Sequence, residues 1–444
     1  MWRVLKGLAW LLACALLVLA AAFAWGRLRP PTETQAQALD VLHQDLRPTQ
    51  GRNAFPLLWL VNFDVPLDQM DAVYAKELQR ATTWLASRPN SSAVEGSVMP
   101  GPQVAFPKLP YLTSEEKAML CSTRDSDCLG KVRAHRDDVR AVLVRQSLRL
   151  AHDEALSETD YEWNDMPVSM LAGFPSYGSS MGLWESATAL DFVDGRSSQA
   201  MQRACSNVMT MRRLHARNNT LLGSMIFAAR LQGAVHLFSQ MLGELPANEV
   251  LPGSCTQAFA PVVEADVDMC AIGQTEFAFA SAVASDMQKD EEQWYNRWKW
   301  SVQGIQRLWA TKYGALCKQV TRAELLADSP ITLAGAIENP DVFDWISNPA
   351  GVMLTRMGLA SFDEYLNRQQ DVAASLRLGA TVLWLRQTRG AAIPLNERLA
   401  QRPAWMRVAD DRQLRVSLDG RTMSMNFRSK RSDWPATWPL PAGL

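Results

Sequence analysis

The feature that most constrains this chain is an apolar run at its N-terminus. Residues 7–25 are nineteen residues without a charge, with Arg3 and Lys6 before the run and Arg27 and Arg29 after it. A helix rises about 1.5 Å per residue, so this run is roughly 28 Å long, close to the hydrocarbon thickness of a bilayer. No later stretch is apolar over such a length. The run therefore predicts a single-pass transmembrane helix, a membrane anchor in residues 1–26.

A cleaved signal peptide is the alternative interpretation of this run. Residues 22–24 (AFA) have the small-x-small form of a cleavage site, after a basic start and an apolar core. A signal peptide usually has an apolar core of about 7–15 residues, which is shorter than this one. A lipoprotein site at Cys14 would require the apolar core to end there, but eleven more apolar residues follow. Retention as a signal anchor is the interpretation that the length favours.

The cysteines indicate the compartment better than the charges do, because two Lys/Arg residues lie on each side of the run. The soluble part has an even number of cysteines: Cys121, Cys128, Cys205, Cys255, Cys270 and Cys317. An even count outside the cytosol suggests disulfides. Only a Cys121 to Cys128 bridge is predicted specifically, because the six residues between them are polar and turn-forming. We expect the bulk of the chain in the periplasm, tethered to a bacterial inner membrane; six reduced, buried cysteines in a cytosolic domain are the alternative.

Composition excludes a few function classes. The chain is 48% hydrophobic and 20% charged, with a formal net charge of −1. These values are typical of a globular protein and give no bulk charge for binding nucleic acid. About four hundred residues exceed what one core usually encloses, so we expect two or more subdomains. Sixteen tryptophans are many, and they suit a core or an interface equally well.

Most of the body shows helical periodicity. Helices are predicted for residues 68–88, from a capping box at 113–116 (TSEE), for 129–156, for 274–287 and for 361–389. Residues 197–216 and 220–245 are separated by a turn signal and should form an antiparallel helix pair. The proline-rich stretch 88–111 predicts a long loop.

The C-terminus changes character. Leu414 and Val416 alternate with polar residues before an Asp-Gly turn, and Met423 and Met425 alternate after it. A two-residue turn pairs Val416 with Met423 and Leu414 with Met425 in a β-hairpin. We expect the Trp- and Pro-rich tail to lie on the surface. The predicted fold is therefore mainly α: a membrane anchor (1–26), a juxtamembrane linker with a short helix (27–52), a helical envelope domain (53–400), and a small β-hairpin with its tail (401–444).

Four short motifs, in this order, resemble a family of uncharacterised proteobacterial proteins that are membrane-anchored and mainly helical. They are an Asn53-Ala54-Phe55 block, the Cys121-x6-Cys128-Leu129 helix start, the helix pair from Arg213 to Met241, and Asn348-Pro349-Ala350-Gly351. The resemblance covers most of residues 50–430. It implies the architecture above and carries no assigned activity and no catalytic residues.

The closest match to a catalytic motif is residues 178–182 (GSSMG), which have G-x-S-x-G form with Ser180 as the nucleophile. A nucleophile elbow needs a strand before the serine, a helix after it, and an acid and a histidine downstream. Asp191 or Asp194 with His215 or His236 would supply that order. No alternating strand and helix pattern surrounds the motif, so a Gly/Ser-rich loop is the simpler interpretation.

No motif for a metal or a cofactor is present. None of the five histidines stands four residues from another, and no HExxH, zinc-spaced cysteine cluster, Walker loop or dinucleotide fingerprint occurs. Residues 152–154 (HDE) are interpreted as a solvated helix end. The sequence therefore predicts no metal and no cofactor.

A tryptophan-rich helical face is the better candidate for a binding surface. Residues 290–318 place large apolar side chains along one face and basic side chains alongside it: Trp294, Trp298, Ile305 and Trp309, and Arg297, Lys299, Arg307 and Lys312. Indole rings flanked by cations suit a membrane interface or a partner surface. They suit a core helix as well, with the basic side chains reaching solvent.

The function predicted from these features is a non-enzymatic, membrane-tethered envelope protein that binds or helps to assemble a protein partner. Two alternatives remain open: a serine hydrolase that uses Ser180, and a carrier of an apolar ligand, which requires a continuous internal pocket. The pathway, the partner and the oligomeric state are not readable from the sequence.

Overall fold

The computed structural model of the chain is mainly helical and describes residues 2–87, 99–169, 172–290, 299–333, 338–357, 362–388, 393–430 and 434–441. The first helix, α1 (Trp2–Leu28), contains the whole predicted apolar run, and its most apolar window is fully exposed. It is long and apolar enough to cross a membrane. Helix α11 (Leu221–Glu244) meets the same criterion, but 67% of its window is buried in the body, as in the core helix of a soluble protein.

The segment predicted as a linker, residues 27–52, contains the predicted short helix, α2 (Glu33–Leu42). Thr32 caps α2 with a capping box, which satisfies backbone N–H groups that would otherwise lack partners. The buried block that follows forms α3 (Phe55–Leu60). The helix predicted for 68–88 is confirmed as α4 (Met70–Ala86). Within the predicted loop, residues 88–98 lie outside the described residues, and residues 99–111 carry no helix.

The capping box at 113–116 is confirmed, since Thr113 caps α5 (Ser114–Met119). The single long helix predicted for 129–156 is wrong. That stretch forms α6 (Cys128–Ala134), α7 (Arg136–Arg145) and α8 (Ser147–Glu154), because the backbone leaves helical angles at His135 and Gln146. The breaks let each short helix take its own direction, and each helix still buries apolar or polar side chains, such as Val132 in α6 and Val139 in α7.

The predicted helix pair is confirmed as α10 (Ser197–Ala216) and α11, which pack against each other. Thr220 caps α11 by accepting the Gly223 N–H. Helix α9 (Leu183–Val193) packs on α10, and α12 (Gly253–Ala258) follows the pair. The helix predicted for 274–287 is part of the longer α13 (Cys270–Asp290).

The last helices include the long one predicted for 361–389, observed as α18 (Phe362–Gln387). The others are α14 (Val302–Ala315), α15 (Gln319–Leu326), α16 (Val342–Ser347), α17 (Pro349–Met357) and α19 (Leu395–Gln401).

The predicted hairpin is confirmed as strands β1 (Arg415–Val416) and β2 (Thr422–Ser424), with Val416 opposite Met423. The surface position of the tail is wrong. Residues Thr437–Pro439 form a third strand, β3, antiparallel to β2, and Trp438 is 1% exposed. Pro439 lacks an N–H but is tolerated because β3 is an edge strand.

Buried apolar side chains form two clusters. The large core includes α3, α9–α11 and the C-terminal sheet, while the small core joins α2, α13 and α14. Helix α18 contributes to both: its start, with Phe362 and Leu366, lies in the small core, and its later turns lie in the large core.

Three disulfides connect neighbouring elements. Cys121 and Cys128, the pair predicted from the sequence, lie at an S–S distance of 1.99 Å. The other bridges join Cys205 to Cys255 (α10 to α12) and Cys270 to Cys317 (the start of α13 to the turn after α14). Cys14 in α1 is a free, exposed thiol. Disulfides of this kind are typical of an oxidising compartment.

Candidate functional site

The C-terminal end of α1 is joined to the body through close backbone contact. Gly26, the buried residue of α1, lies against α16: a Cβ added there would be 2.5 Å from the Ser347 Oγ and 2.6 Å from the Phe343 carbonyl oxygen. Only a residue without a side chain allows this approach. The end of the apolar helix therefore packs directly on the body at this point.

Two arginines fix this contact. The last carbonyls of a helix have no partner within the helix. Arg307 of α14 donates to two carbonyls at the end of α1, to that of Arg29 at 2.6 Å and to that of Gly26 at 3.0 Å. Arg29 itself pairs with Asp341 and with Asp344, the latter at 2.5 Å. We call Gly26, Arg29, Arg307, Asp341 and Asp344 the junction.

Burial opposes the charge of both junction arginines, but their neighbouring groups affect the two pKa values differently. Burial lowers the pKa of Arg307, and the neighbouring Arg29 lowers it further. Arg29 is the more exposed of the two, and although burial opposes its charge, its hydrogen bonds to the two aspartates raise its pKa. Both guanidinium groups stay charged at neutral pH, because an arginine pKa is far above it. The junction is therefore a charge-assisted clamp on the end of α1.

Neighbouring groups hold the junction elements in register. The Asn348 Oδ1 accepts the backbone N–H of Ser301, the residue that caps α14, at 2.8 Å. Helix α2 packs on α14, where Gly314 lies against Ala38. Gln35 of α2 donates to Glu338 at 2.7 Å. The segment between α1 and the body is thus packed along its helix rather than extended away from the body.

The tryptophan-rich face is described only in part. Trp294, Trp298 and Arg297 lie outside the described residues. Trp309, a member of the predicted membrane or partner surface, is 3% exposed and belongs to the small core, as the core interpretation expected. Lys299 is exposed.

The expectation that the basic side chains along that face reach solvent is wrong for two of them. Arg307 is 8% exposed and Lys312 is 5% exposed. Arg307 serves the junction, and the Lys312 Nζ lies over the Phe362 ring, 5.6 Å from its centroid.

Ser180 does not lie in a nucleophile elbow. The described residues before it form a short 3-10 turn, Tyr177–Ser179, and no strand, although the predicted helix, α9, does follow. Gly182 takes a positive φ of 86°, and an added Cβ there would clash with the Cys121 carbonyl. The Gly/Ser-rich stretch is a tight turn packed against the Cys121 segment.

The downstream acids and histidines of the predicted triad are not brought to Ser180. Asp191 pairs with Arg196 and Arg203. Asp194 pairs with the arginines of α7, at positions 136 and 140. His215 bonds to Gln369 and Ser224, and His236 bonds to the Ser126 carbonyl.

Ser180 instead serves a buried ion pair. Its Oγ donates to Asp153 at 3.0 Å, and Arg230 of α11 donates to both oxygens of Asp153 at 2.8 and 2.7 Å. Burial opposes the charge of Arg230, but Asp153 and Glu185 raise its pKa above the ordinary value. The interpretation of residues 152–154 as a solvated helix end is therefore wrong: His152 is 4% exposed and Asp153 is 1% exposed.

A mainly apolar cavity of about 420 Å³ lies where α2, α13 and the start of α11 meet the segment after residue 162. Its walls include Leu42, Trp163, Phe174 and Phe279, with Glu276 among the polar groups. Burial raises the pKa of Glu276, while the Leu221 N–H donates to its carboxyl. A carboxylate at the start of α11 is favoured by the helix dipole, which explains its presence beside an apolar wall.

A second buried carboxyl lies near this cavity. Glu162 is fully buried, and the only hydrogen-bond partner of its carboxyl among the described residues is the Tyr177 hydroxyl, at 2.8 Å. No described cation pairs with it. Burial therefore raises the pKa of Glu162 to about 7, against the bond from Tyr177.

Among the described residues, no group of three or more His, Cys, Asp or Glu side chains could hold a metal ion. No model of a known protein family, no curated protein and no solved structure matches this chain. The resemblance drawn from the four short motifs stays a prediction.

The junction is not evident in the sequence. There, Arg29 is a charge that flanks the apolar run, and Arg307 is one of several basic residues along a helical face. Two signals were present: the pair Asp341 and Asp344, which forms a capping box for α16, and Asn348 within the motif that carried the resemblance. Neither signal identifies which arginine approaches, because the contacts join residues about three hundred positions apart.

Proposed function

We propose that this chain is a non-enzymatic, membrane-tethered envelope protein that binds or helps to assemble a partner at a fixed orientation to the membrane. Helix α1 crosses the inner membrane of a bacterium, and the body lies in the periplasm. The observation that carries this proposal is the junction. A protein that only needed to stay near the membrane could use a flexible linker after its anchor.

The junction supports a fixed orientation because it leaves little freedom to the end of α1. Gly26 contacts α16 directly, and Arg307 holds the carbonyls of Gly26 and Arg29. Ordering these groups costs conformational entropy. A fixed orientation of the body relative to α1 is useful when a partner must bind one face of the body at a set height above the bilayer.

The compartment is tested with fusions after residue 444. The three disulfides support a periplasmic body. Alkaline phosphatase fused there should be active, and a fluorescent protein that folds only in the cytosol should stay dark. The reverse pattern would contradict the periplasmic assignment.

Partner binding is tested by photo-crosslinking in cells. A photoreactive residue is placed at exposed positions of the body, such as Val144 and Leu148, and the crosslinked proteins are identified by mass spectrometry. We expect one reproducible partner, whose yield falls several-fold in the Arg29→Ala/Arg307→Ala variant but not in Arg133→Ala, an exposed arginine remote from the junction. Crosslinking that is absent, or that does not depend on the junction, would contradict the proposal.

The cavity supports a second candidate function, the carriage of an apolar ligand. Its volume of about 420 Å³ suits a small molecule, and its aromatic walls with few polar groups are typical of ligand sites. Ala278 is exposed and lines the cavity, so Ala278→Trp should fill its mouth without disturbing the core. Ala141 of α7 is an exposed alanine away from the cavity, so Ala141→Trp is the matched control.

The test of this second function is titration with the fluorescent apolar probe N-phenyl-1-naphthylamine. Saturable binding should weaken at least ten-fold in Ala278→Trp and stay unchanged in Ala141→Trp. Equal binding by both variants would remove the cavity as the site.

A further inference from the structure

A second membrane contact lies beside the end of α1. Helices α16 and α17 expose large apolar side chains: Val342 is 61% exposed, Trp345 is 38% exposed and Met353 is 56% exposed. Arg356 lies over the Trp345 ring, 5.3 Å from its centroid. We call these four residues the interfacial patch.

The position of the interfacial patch follows from the junction. Residues 7–25 match the hydrocarbon thickness, so Gly26 lies where the apolar layer ends. Phe343 and Ser347 of α16 touch Gly26 directly. Val342 is one position from Phe343, and Trp345 is two positions from each of the contact residues, so α16 lies at the level of the lipid headgroups if α1 spans the bilayer.

The chemistry of the interfacial patch fits that level. Tryptophan is enriched where a protein crosses from hydrocarbon to water, because its ring is apolar and its N–H is polar. An arginine beside it can meet lipid phosphates. The carboxylates at the start of α16, Asp341 and Asp344, are both paired with Arg29, and they also interact with the charge of Arg307. The two aspartates and two arginines of the junction sum to zero charge, so the junction adds no net negative charge beside an anionic lipid surface.

We propose that α16 and α17 insert the interfacial patch into the headgroup region of the bilayer that α1 spans. The body then contacts the membrane at two places, and the patch limits rotation of the body about α1. The occupant of this surface is the lipid bilayer, because the patch lies beside the point where the apolar helix would leave the hydrocarbon layer. This inference rests on the anchoring of α1 that the proposed function includes.

The experiment measures the depth of nitroxide labels on the full-length protein in vesicles of phosphatidylethanolamine and phosphatidylglycerol. In a Cys14→Ala background, labels are attached after Val342→Cys or Met353→Cys. Val250→Cys, at an 86% exposed position of the large-core region, is the control. Collision rates with oxygen, which concentrates in lipid, are compared with those of a water-soluble nickel chelate.

We expect the oxygen-to-nickel ratio to be several-fold higher at Val342 and Met353 than at Val250. A ratio equal to that of the control at both positions would overturn the interfacial patch. A label on the native Cys14 tests the anchor separately. If Cys14 is in lipid while both patch labels are in water, only the patch fails; if Cys14 is in water, the proposed membrane tether fails with it.

Discussion

The large core and the junction are held together by different means. The large core joins apolar side chains from many helices with two disulfides and the closed pair of Asp153 and Arg230. The junction depends on one glycine, two arginines and two aspartates. Many contacts define the position of each core helix, whereas few define the angle between α1 and the body. The body should therefore tolerate changes at the junction that alter the direction of α1.

The largest effect should come from opening the buried ion pair of the large core. Arg230→Ala leaves the carboxyl of Asp153 fully buried and without its cation, and should cost about 3–5 kcal/mol of unfolding free energy. The control is a surface pair: Arg133 of α6 pairs with Glu244 at the end of α11, and Arg133→Ala should cost less than about 1 kcal/mol. Urea unfolding followed by tryptophan fluorescence measures both. Equal losses would contradict the importance of burial here.

Of the two disulfides in the large core, the one that closes the longer stretch of chain should stabilise more. Replacing Cys205 and Cys255, fifty positions apart, by alanine should cost about 4 kcal/mol on the chain-entropy model. The same change at Cys121 and Cys128, seven positions apart, should cost about 2–3 kcal/mol. Unfolding of both double variants without reductant tests the order. The reverse order would show that native strain, rather than loop length, decides.

Glu162 differs from the carboxyls of the junction and of the buried ion pair, because no described cation lies beside it. Its pKa is raised from 4.5 to about 7 by burial, so the folded chain keeps a proton that the unfolded chain releases. Stability should therefore fall as pH rises from about 4.5 to about 7, by up to about 3 kcal/mol, and change little above that from this group. Glu162→Gln should lose this pH dependence, which urea midpoints at pH 5 and pH 8 would show. An unchanged pH profile in the variant would assign the dependence to other groups.

The smallest effect on stability is expected at the junction itself. Arg307→Ala leaves the carbonyls of Gly26 and Arg29 without this donor, and should cost about 1–2 kcal/mol. Arg356→Ala, which removes an exposed side chain nearby, should cost less than about 0.5 kcal/mol. A loss at Arg307 as large as that at Arg230 would mean that the junction is part of the folding core.

Patterns of nearby residues predicted most of the helices. Features that depend on contacts between distant residues were not predicted. The capping box at 113–116 marked the start of α5 because it is made by residues three positions apart, Thr113 and Glu116. The hairpin register followed from one Asp-Gly turn. The third strand was missed because its prolines argue against a strand, while its edge position, which tolerates Pro439, is set only by the folded sheet.

The candidate sites were harder to predict for the same physical reason. Residues 152–154 look like a solvated helix end because the partner of Asp153 is Arg230, seventy-seven positions away. In the sequence, Arg307 is one of several basic residues along a helix, and its role becomes clear only from its contact with the end of α1. The sequence does not show whether the partner of a charged residue is water or a distant side chain. The apolar run is recognised from its length and composition alone, without knowledge of a distant partner.

The most direct test of the account is the distance between α1 and the body in a lipid nanodisc. A spin label on the native Cys14, the free cysteine of the described chain, is paired with a second label introduced by Val320→Cys, at an exposed position of α15. Double electron–electron resonance then reports the distribution of distances between them. If the junction is fixed, the distance between the two labels should have a single narrow distribution in the otherwise native chain. That distribution should broaden in the Arg29→Ala/Arg307→Ala variant. A distribution that is already broad in the native chain, and that the variant leaves unchanged, would contradict a fixed junction.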